Sequence, residues 1–365
     1  MEELKRELEK LSKTYVDTPE KEEKILIPFI KRLLELSVKE RRKFLPTIRE
    51  LQWIKGKFSE TFCDHHRARF LGAVQFVCGN KREMDLGYHI DFNLLCKLLS
   101  LYTPSWLAEY INDAESYLNF NISYEQLMQL IDMGYMQELS PKRIAQILPG
   151  YICIRSSLPK GKDTFNSDLL LKREITLKEH IWYLFEQESS IGYHNDRAQT
   201  AYKEGTTSRD ESFSAAFYRF SLDGHLDRNR LLRATLSTFN RSFKKDMVNW
   251  FAGLFEELQP RAEELISLQE EIMQVFTSPY TKPVNVMLQQ LKKIASEGGF
   301  HYQEFIERAT TLFFSSPKNS LLTIYSIFEQ IVAGHPEMKE ACCIPLCQLF
   351  LKKDESLQKK AASFI

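Results

Sequence analysis

The sequence predicts an all-α protein, and three observations carry that reading. Apolar residues recur at three- and four-residue spacing almost throughout, strict two-residue alternation is sustained nowhere, and the main breaks are short turns such as Thr103-Pro104-Ser105, Ser140-Pro141 and Ser278-Pro279. Composition points the same way. Fourteen Gly and 13 Pro in 365 residues are few beside the usual ~7% and ~5%, which disfavours turn-dense β architectures and low-complexity chains. With 43% hydrophobic residues the chain has ample material for a large core.

The helical stripes follow one another along the chain. Leu26, Phe29, Ile30, Leu33 and Leu34 form one; Phe44, Leu45, Ile48 and Leu51 form the next; Phe70, Leu71, Val74 and Val77 come third. Later runs are Trp106, Leu107, Tyr110 and Ile111, then Tyr124, Leu127, Met128 and Ile131, then Leu177, Ile181, Leu184 and Phe185. Each spacing places one apolar face toward a core. Tyr151-Ile152-Cys153-Ile154 reads as a short strand without an evident partner. Two polar segments without periodicity, 155–168 and 192–211, read as mobile loops, and the second suggests a domain boundary. The expected organisation is therefore an irregular helical region over 1–190, a flexible loop over 191–212 and regular helix pairs over 213–365.

Those pairs repeat. Leu265, Leu268, Ile272 and Phe276 lead through Thr277-Ser278-Pro279 to Val284, Met287, Leu288, Leu291 and Ile294. Tyr302, Phe305, Ile306, Ala309 and Phe313 lead through Ser315-Ser316-Pro317 to Leu321, Ile324, Tyr325, Phe328 and Ile331. A third pair starts at Met338 and re-enters at Leu357. A two-helix period near 40 residues matches HEAT and armadillo repeats, whose units must stack to bury their cores. The expected architecture is an α-solenoid. The last stripe breaks off at Ile365 with no helix-stop signal, so the pattern predicts continuation in a longer protein.

Charge and cysteine content narrow the function classes. Forty-nine basic and 49 acidic residues cancel, which removes the simplest argument for nucleic-acid binding. The N-terminus MEELKRELEKLSK has no apolar signal core, and the most apolar run, Ala341–Leu351, is much shorter than the ~20 residues that cross a bilayer. Seven cysteines, mostly beside apolar residues, read as buried thiols of a reducing compartment, so a cytoplasmic location is expected.

Motifs for phosphate cradling, zinc peptidase chemistry, serine nucleophiles and dinucleotide binding are absent. Cys63, Asp64, His65 and His66 adjoin, but successive helical residues diverge by ~100° and cannot easily meet one ion. Cys342, Cys343 and Cys347 read as thiols of an apolar helix. No catalytic, cofactor or metal-binding residue is predicted, and the chain is read as a non-enzyme without a small-molecule substrate. Charge is nonetheless segregated. Residues 39–82 carry 11 Lys or Arg against four acids, and 109–138 carry six acids and no Lys or Arg. Lys55, Arg67 and Arg69 in the basic stretch are the candidates for a nucleic-acid contact. Trp106, Trp182 and Trp250 lie on or beside apolar stripes. Packing explains them first; exposed aromatic anchors for a protein partner are the functional reading.

The stretch Gly224–Pro260 carries Leu226-Asp227-Arg228, Leu231-Leu232, Leu236, Phe239, Trp250-Phe251, Leu254, Leu258 and Pro260. With Glu263-Glu264 and Pro283-Val284 after it, it resembles the best-marked segment of a large bacterial family of unknown function with HEAT-like helical repeats. The similarity is clear over roughly residues 220–300. It implies a repeat fold and longer family members, and it transfers no catalytic residue. Gene neighbourhoods in that family imply a link to MoxR-type ATPases. The expectation is a non-catalytic helical-repeat scaffold binding protein partners through a concave surface. A nucleic-acid binder using 39–82 and a regulatory partner of an ATPase are the alternatives.

Overall fold

The computed structural model describes residues 1–14, 18–52, 62–84, 90–113, 122–156 and 161–365, and they are almost entirely helical. The chain divides into two compact units, Met1–Tyr151 and Ile152–Ile365. No helix among the described residues is long and apolar enough to cross a membrane.

The N-terminal unit contains α1 (Glu2–Leu11), α2 (Pro19–Leu34), α3 (Val38–Arg41), α4 (Leu45–Gln52), α5 (Phe62–Cys78), α6 (Lys81–Met84), α7 (Phe92–Leu101), α8 (Leu107–Asn112), α9 (Tyr124–Asp132) and α10 (Pro141–Tyr151). Polar caps fix the starts. Thr18 Oγ1 accepts from Lys21 N at 3.3 Å ahead of Pro19, and Ser37 and Glu40 form a reciprocal capping box. Helix α5 packs against α2, α3 and α4, and its Phe70, Val74 and Phe76 are fully buried. Helix α10 packs on α8 and α9.

The C-terminal unit opens with a hairpin, β1 (Cys153–Ile154) against β2 (Thr164–Phe165), paired Cys153 to Phe165 and Ile154 to Thr164. The short strand thus has its partner ten residues on, and Thr207 Oγ1 both donates to and accepts from the Phe165 backbone. Then come α11 (Glu174–Lys178), a 3₁₀ turn His180–Phe185, α12 (Ile191–Lys203) and α13 (Phe213–Leu222).

Two expectations change here. The stretch 191–212, expected as a flexible loop, contains α12. The buried face of that helix is Ile191, Asn195, Ala198 and Ala201, a stripe too small and polar to register as apolar periodicity. Gly205, at φ 74°, ends it in the left-handed conformation that a Cβ disfavours. The division of the chain also falls at 151/152, because His180–Phe185 packs on a helix of the later region.

From residue 228 the helices come in successive pairs. They are α14 (Arg228–Ser237) with α15 (Lys245–Glu257), α16 (Ala262–Gln274) with α17 (Thr281–Ile294), α18 (Tyr302–Thr310) and the short α19 (Leu312–Ser315) with α20 (Lys318–Gly334), and α21 (Lys339–Leu346) with α22 (Glu355–Phe364). Second helices lie on second helices, α15 on α17, α17 on α20 and α20 on α22. First helices meet likewise, α14 with α16 and α18 with α21. Leu268, Ile272, Leu288, Leu291, Ile324 and Phe328 are fully buried between them.

Several side-chain bonds across successive pairs fall at offsets of 34 to 38 residues. Tyr280 Oη donates to Phe243 O, 37 residues away. Gln289 Nε2 donates to Thr323 Oγ1 across 34, Ser320 Oγ donates to Asn285 Oδ1 across 35, and Lys318 pairs with Asp354 across 36. Lys352 Nζ donates to Phe314 O across 38.

Arg228 is the strongest of these ties. Its Nε and Nη2 grip Glu264 Oε1 and Oε2 at 2.6 and 3.1 Å, and Nη2 also donates to the carbonyls of Leu258 and Gln259. Gln259 stands at φ 47°, an unfavourable region for a side chain that bears a Cβ, and the guanidinium secures that turn. Burial alone would raise the Glu264 carboxyl, but the hydrogen bonds from Arg228 and from the Arg261 backbone hold it down at about 2.

A pKa lower in the folded than in the unfolded state stabilises the fold above the unfolded value of 4.5, and that contribution is lost as pH falls toward 2. Glu264→Gln should therefore cost roughly 3 kcal/mol at neutral pH and less than half of that at pH 3. Urea denaturation of both chains at the two pH values measures it; an equal cost at both would contradict the assignment.

Candidate functional site

The 3₁₀ turn His180–Phe185 buries five of its six residues, His180, Ile181, Trp182, Leu184 and Phe185. A regular α-helix would concentrate these on one face; the tighter turn points them to several neighbours at once, which is why the predicted single stripe Leu177–Phe185 divides after α11. Phe185 stacks on Phe217 at 5.7 Å and on Phe251 at 5.2 Å, which locks the turn against α13 and α15. Trp182 is then held against α14, only 5% exposed, with Phe185 at 5.9 Å.

Helix α14 begins where Asp227 caps it, its carboxylate accepting from Arg230 N at 2.6 Å. Helical spacing puts Arg230, Arg233 and Ser237 on the face turned to Trp182. Arg230 lies flat on the indole, guanidinium carbon to ring centroid 3.9 Å. Such a contact is a cation–π attraction that restrains the side chain. Arg233 pairs with Glu271 and donates to Asn229 Oδ1. Arg241 closes the far end. Together these residues and Glu186 line an open cavity of about 480 Å³, within the range of ligand sites.

The electrostatics of this groove are specific. Among the described residues, neither the Arg230 nor the Arg241 guanidinium has a protein acceptor. Glu186 and the capping Asp227 bring two carboxylates to the lining, and Glu271 pairs with Arg233, so the positive charges of Arg230 and Arg241 are balanced within the groove. A guanidinium is a donor only. The polar groups of the lining are Glu186, Asp227, Asn229, Ser237 and the three arginines.

The sequence candidates fall out as follows. Trp182 forms the floor of the groove. Trp106 is half-buried in the N-terminal unit and meets Phe76 and Tyr110 edge-on at 5.6 and 5.7 Å. Trp250 packs over Gly192, whose position would place a Cβ 3.5 Å from the indole, and meets Phe251 at 4.9 Å. Both are packing residues. Arg67 donates to Leu51 O at 2.5 Å, and Arg69 joins Glu22, at 3.2 Å, to Asp91. These two guanidinia brace helices of their own unit. Lys55 lies outside the described residues, as do the side chains of Cys63, Asp64, His65 and His66.

Thiols and histidines complete the inventory. Burial raises the Cys78 and Cys342 thiols to about 12, so both are inert, whereas Cys347 is exposed, against the expectation of buried thiols. His194 is pushed down to about 4 by burial and by Arg197 and Arg155, and is neutral at physiological pH. Glu270, His301 and Glu304 converge within 4.8 Å, but Glu304 is held by Arg308 at 2.7 Å. Sequence reasoning missed Arg230, Arg233 and Arg241. The three- and seven-residue spacing of Arg230, Arg233 and Ser237 was the available signal.

The chain is thus all-helical, and the arginine-lined, aromatic-floored groove at α14 is its candidate site. Residues 2–319 match the family described as "Domain of unknown function (DUF6493)", and the chain belongs to that family. The match reaches far beyond residues 220–300, where the motifs are clearest. No curated protein matches the chain.

Arg230→Ala should uncover the Trp182 indole, shifting its emission to longer wavelength, and cost about 1 kcal/mol. Fluorescence and thermal unfolding, with Trp182→Phe to assign the signal, measure both. An unchanged spectrum would contradict the stacked geometry.

Proposed function

We propose that this chain is a non-catalytic helical-repeat scaffold that binds a protein partner through the α14 groove. The single observation that carries the reading is a preformed groove whose two guanidinia, Arg230 and Arg241, lack protein acceptors among the described residues. Buried aromatic and arginine side chains are the groups that dominate protein interfaces. Several bonds between successive helix pairs at offsets of 34–38 residues support a HEAT-like solenoid. Such an array offers a long surface whose outward residues are free to vary while the stacked faces hold the fold. A cytoplasmic location suits a chain rich in unpaired thiols. The nucleic-acid alternative loses support because Arg67 and Arg69 are engaged with Leu51, Glu22 and Asp91.

Cross-linking of the tagged chain in its native cells, followed by mass spectrometry, tests this. One stoichiometric protein partner should be recovered, with cross-links from Lys244 and Lys245, the first lysines after Arg241. Recovery of no stoichiometric protein, or cross-links confined to other helices, would overturn the reading.

A further inference from the structure

We propose that Glu270, His301 and Glu304 form a site for a divalent transition-metal ion, zinc by its geometry, that joins α16 to α18. The proposal does not depend on the groove. Three ligand atoms converge. His301 Nδ1 lies 3.8 Å from Glu270 Oε1 and 3.7 Å from Glu304 Oε2, and all three lie within 4.8 Å of one another. Zinc takes imidazole nitrogen and carboxylate oxygen at about 2.1 Å, which sets tetrahedral ligands about 3.4 Å apart. The two spacings from the histidine are close to that, and the exposed Glu270 side chain is free to rotate inward. Three protein ligands leave the fourth position to water. Magnesium prefers oxygen ligands alone, in a tighter octahedron.

The fold builds this convergence. Gln269, only 2% exposed, donates through Nε2 to Gly299 O at 2.9 Å and accepts through Oε1 from His301 N at 2.7 Å. The residue before Glu270 thus anchors the segment that carries the histidine. Gly299 permits the approach, since a Cβ there would meet Ile266 Cγ2 at 3.0 Å. His301 caps α18 and Glu304 lies three residues on, which sets both on one side of the helix start. Arg308 holds Glu304 through Oε1, with Nε and Nη2 both at 2.7 Å, and leaves Oε2 to His301. Charge favours a cation: two carboxylates face the one guanidinium of Arg308, and metal takes the imidazole in its neutral form. Direct contacts join α14 to α16 and α18 to α21. The ion supplies a tie across the step between them, α16 to α18.

Calorimetry on the full chain, stripped of metal by a chelator, tests the site with zinc chloride, and with magnesium chloride for comparison. Zinc should bind saturably, and at least about tenfold more weakly to His301→Ala and to Glu270→Gln, since losing a ligand costs no less than losing a ligand's support. Both side chains are well exposed, at 49% and 64%, so neither change opens the core, and circular dichroism should show every chain folded. Cobalt(II), the coloured stand-in for zinc, separates this site from the exposed Cys347. The wild-type spectrum less that of His301→Ala should show tetrahedral visible bands without thiolate charge transfer. Saturating zinc should raise the thermal midpoint of wild type more than that of His301→Ala, because an ion held by the folded chain stabilises it. Absence of saturable zinc binding, equal affinity in either variant, magnesium bound as tightly as zinc, a thiolate band in the difference spectrum, or an equal thermal shift in both chains would overturn the proposal.

Discussion

A short amphipathic hairpin cannot close its own apolar face, and that constraint governs the region from Arg228 to the last helix. The pairs beginning with α14, α16, α18 and α21 carry buried Leu, Ile and Phe and contact helices of neighbouring pairs as well as their own partner. Part of that apolar surface is buried on the next pair, so second helices lie on second helices and several polar ties between pairs fall at offsets of 34 to 38 residues. Burying a Leu or Phe contributes about 2 kcal/mol, so the summed apolar contact outweighs any single polar tie. The ties choose the register; the apolar faces supply the energy.

The groove is a consequence of that arrangement. Helix α14 is the first helix of the first pair, so its outer face meets the 3₁₀ turn His180–Phe185 in place of a preceding pair. That turn presents Trp182 to the helix. An arginine stacked on the indole satisfies the aromatic face but leaves its donors without acceptors. Arg228, two residues earlier and on another side of the helix, is by contrast fully engaged with Glu264 and the carbonyls of Leu258 and Gln259. Two arginines on one turn therefore have different roles: one braces the stack and one lies on the indole.

The helical class and the pairing around Ser278-Pro279 and Ser315-Ser316-Pro317 were legible because strong apolar residues repeat there at helical spacing. Helix α12 was not, because after Ile191 its buried face continues with Asn195, Ala198 and Ala201, which repeat no large apolar residue at helical spacing. The basic bias of 39–82 suggested an open surface, yet Arg67 and Arg69 find acceptors brought to them by folding. Net charge along a sequence does not record which partners the fold supplies. Trp182 was legible as an aromatic on an apolar stripe. Its role as a floor was not, since that depends on α14 crossing the turn some fifty residues later in the chain.

Native-state hydrogen exchange on Ile324→Ala tests the stacking most directly. Ile324 is fully buried in α20, and the substitution removes about 3 kcal/mol of packing. Nearest-neighbour stacking predicts that protection falls most in α17, α20 and α22 and recovers stepwise toward α14. A uniform loss from Ile152 to Ile365 would mean one undivided core, and would contradict an architecture of pairs that lean on their neighbours.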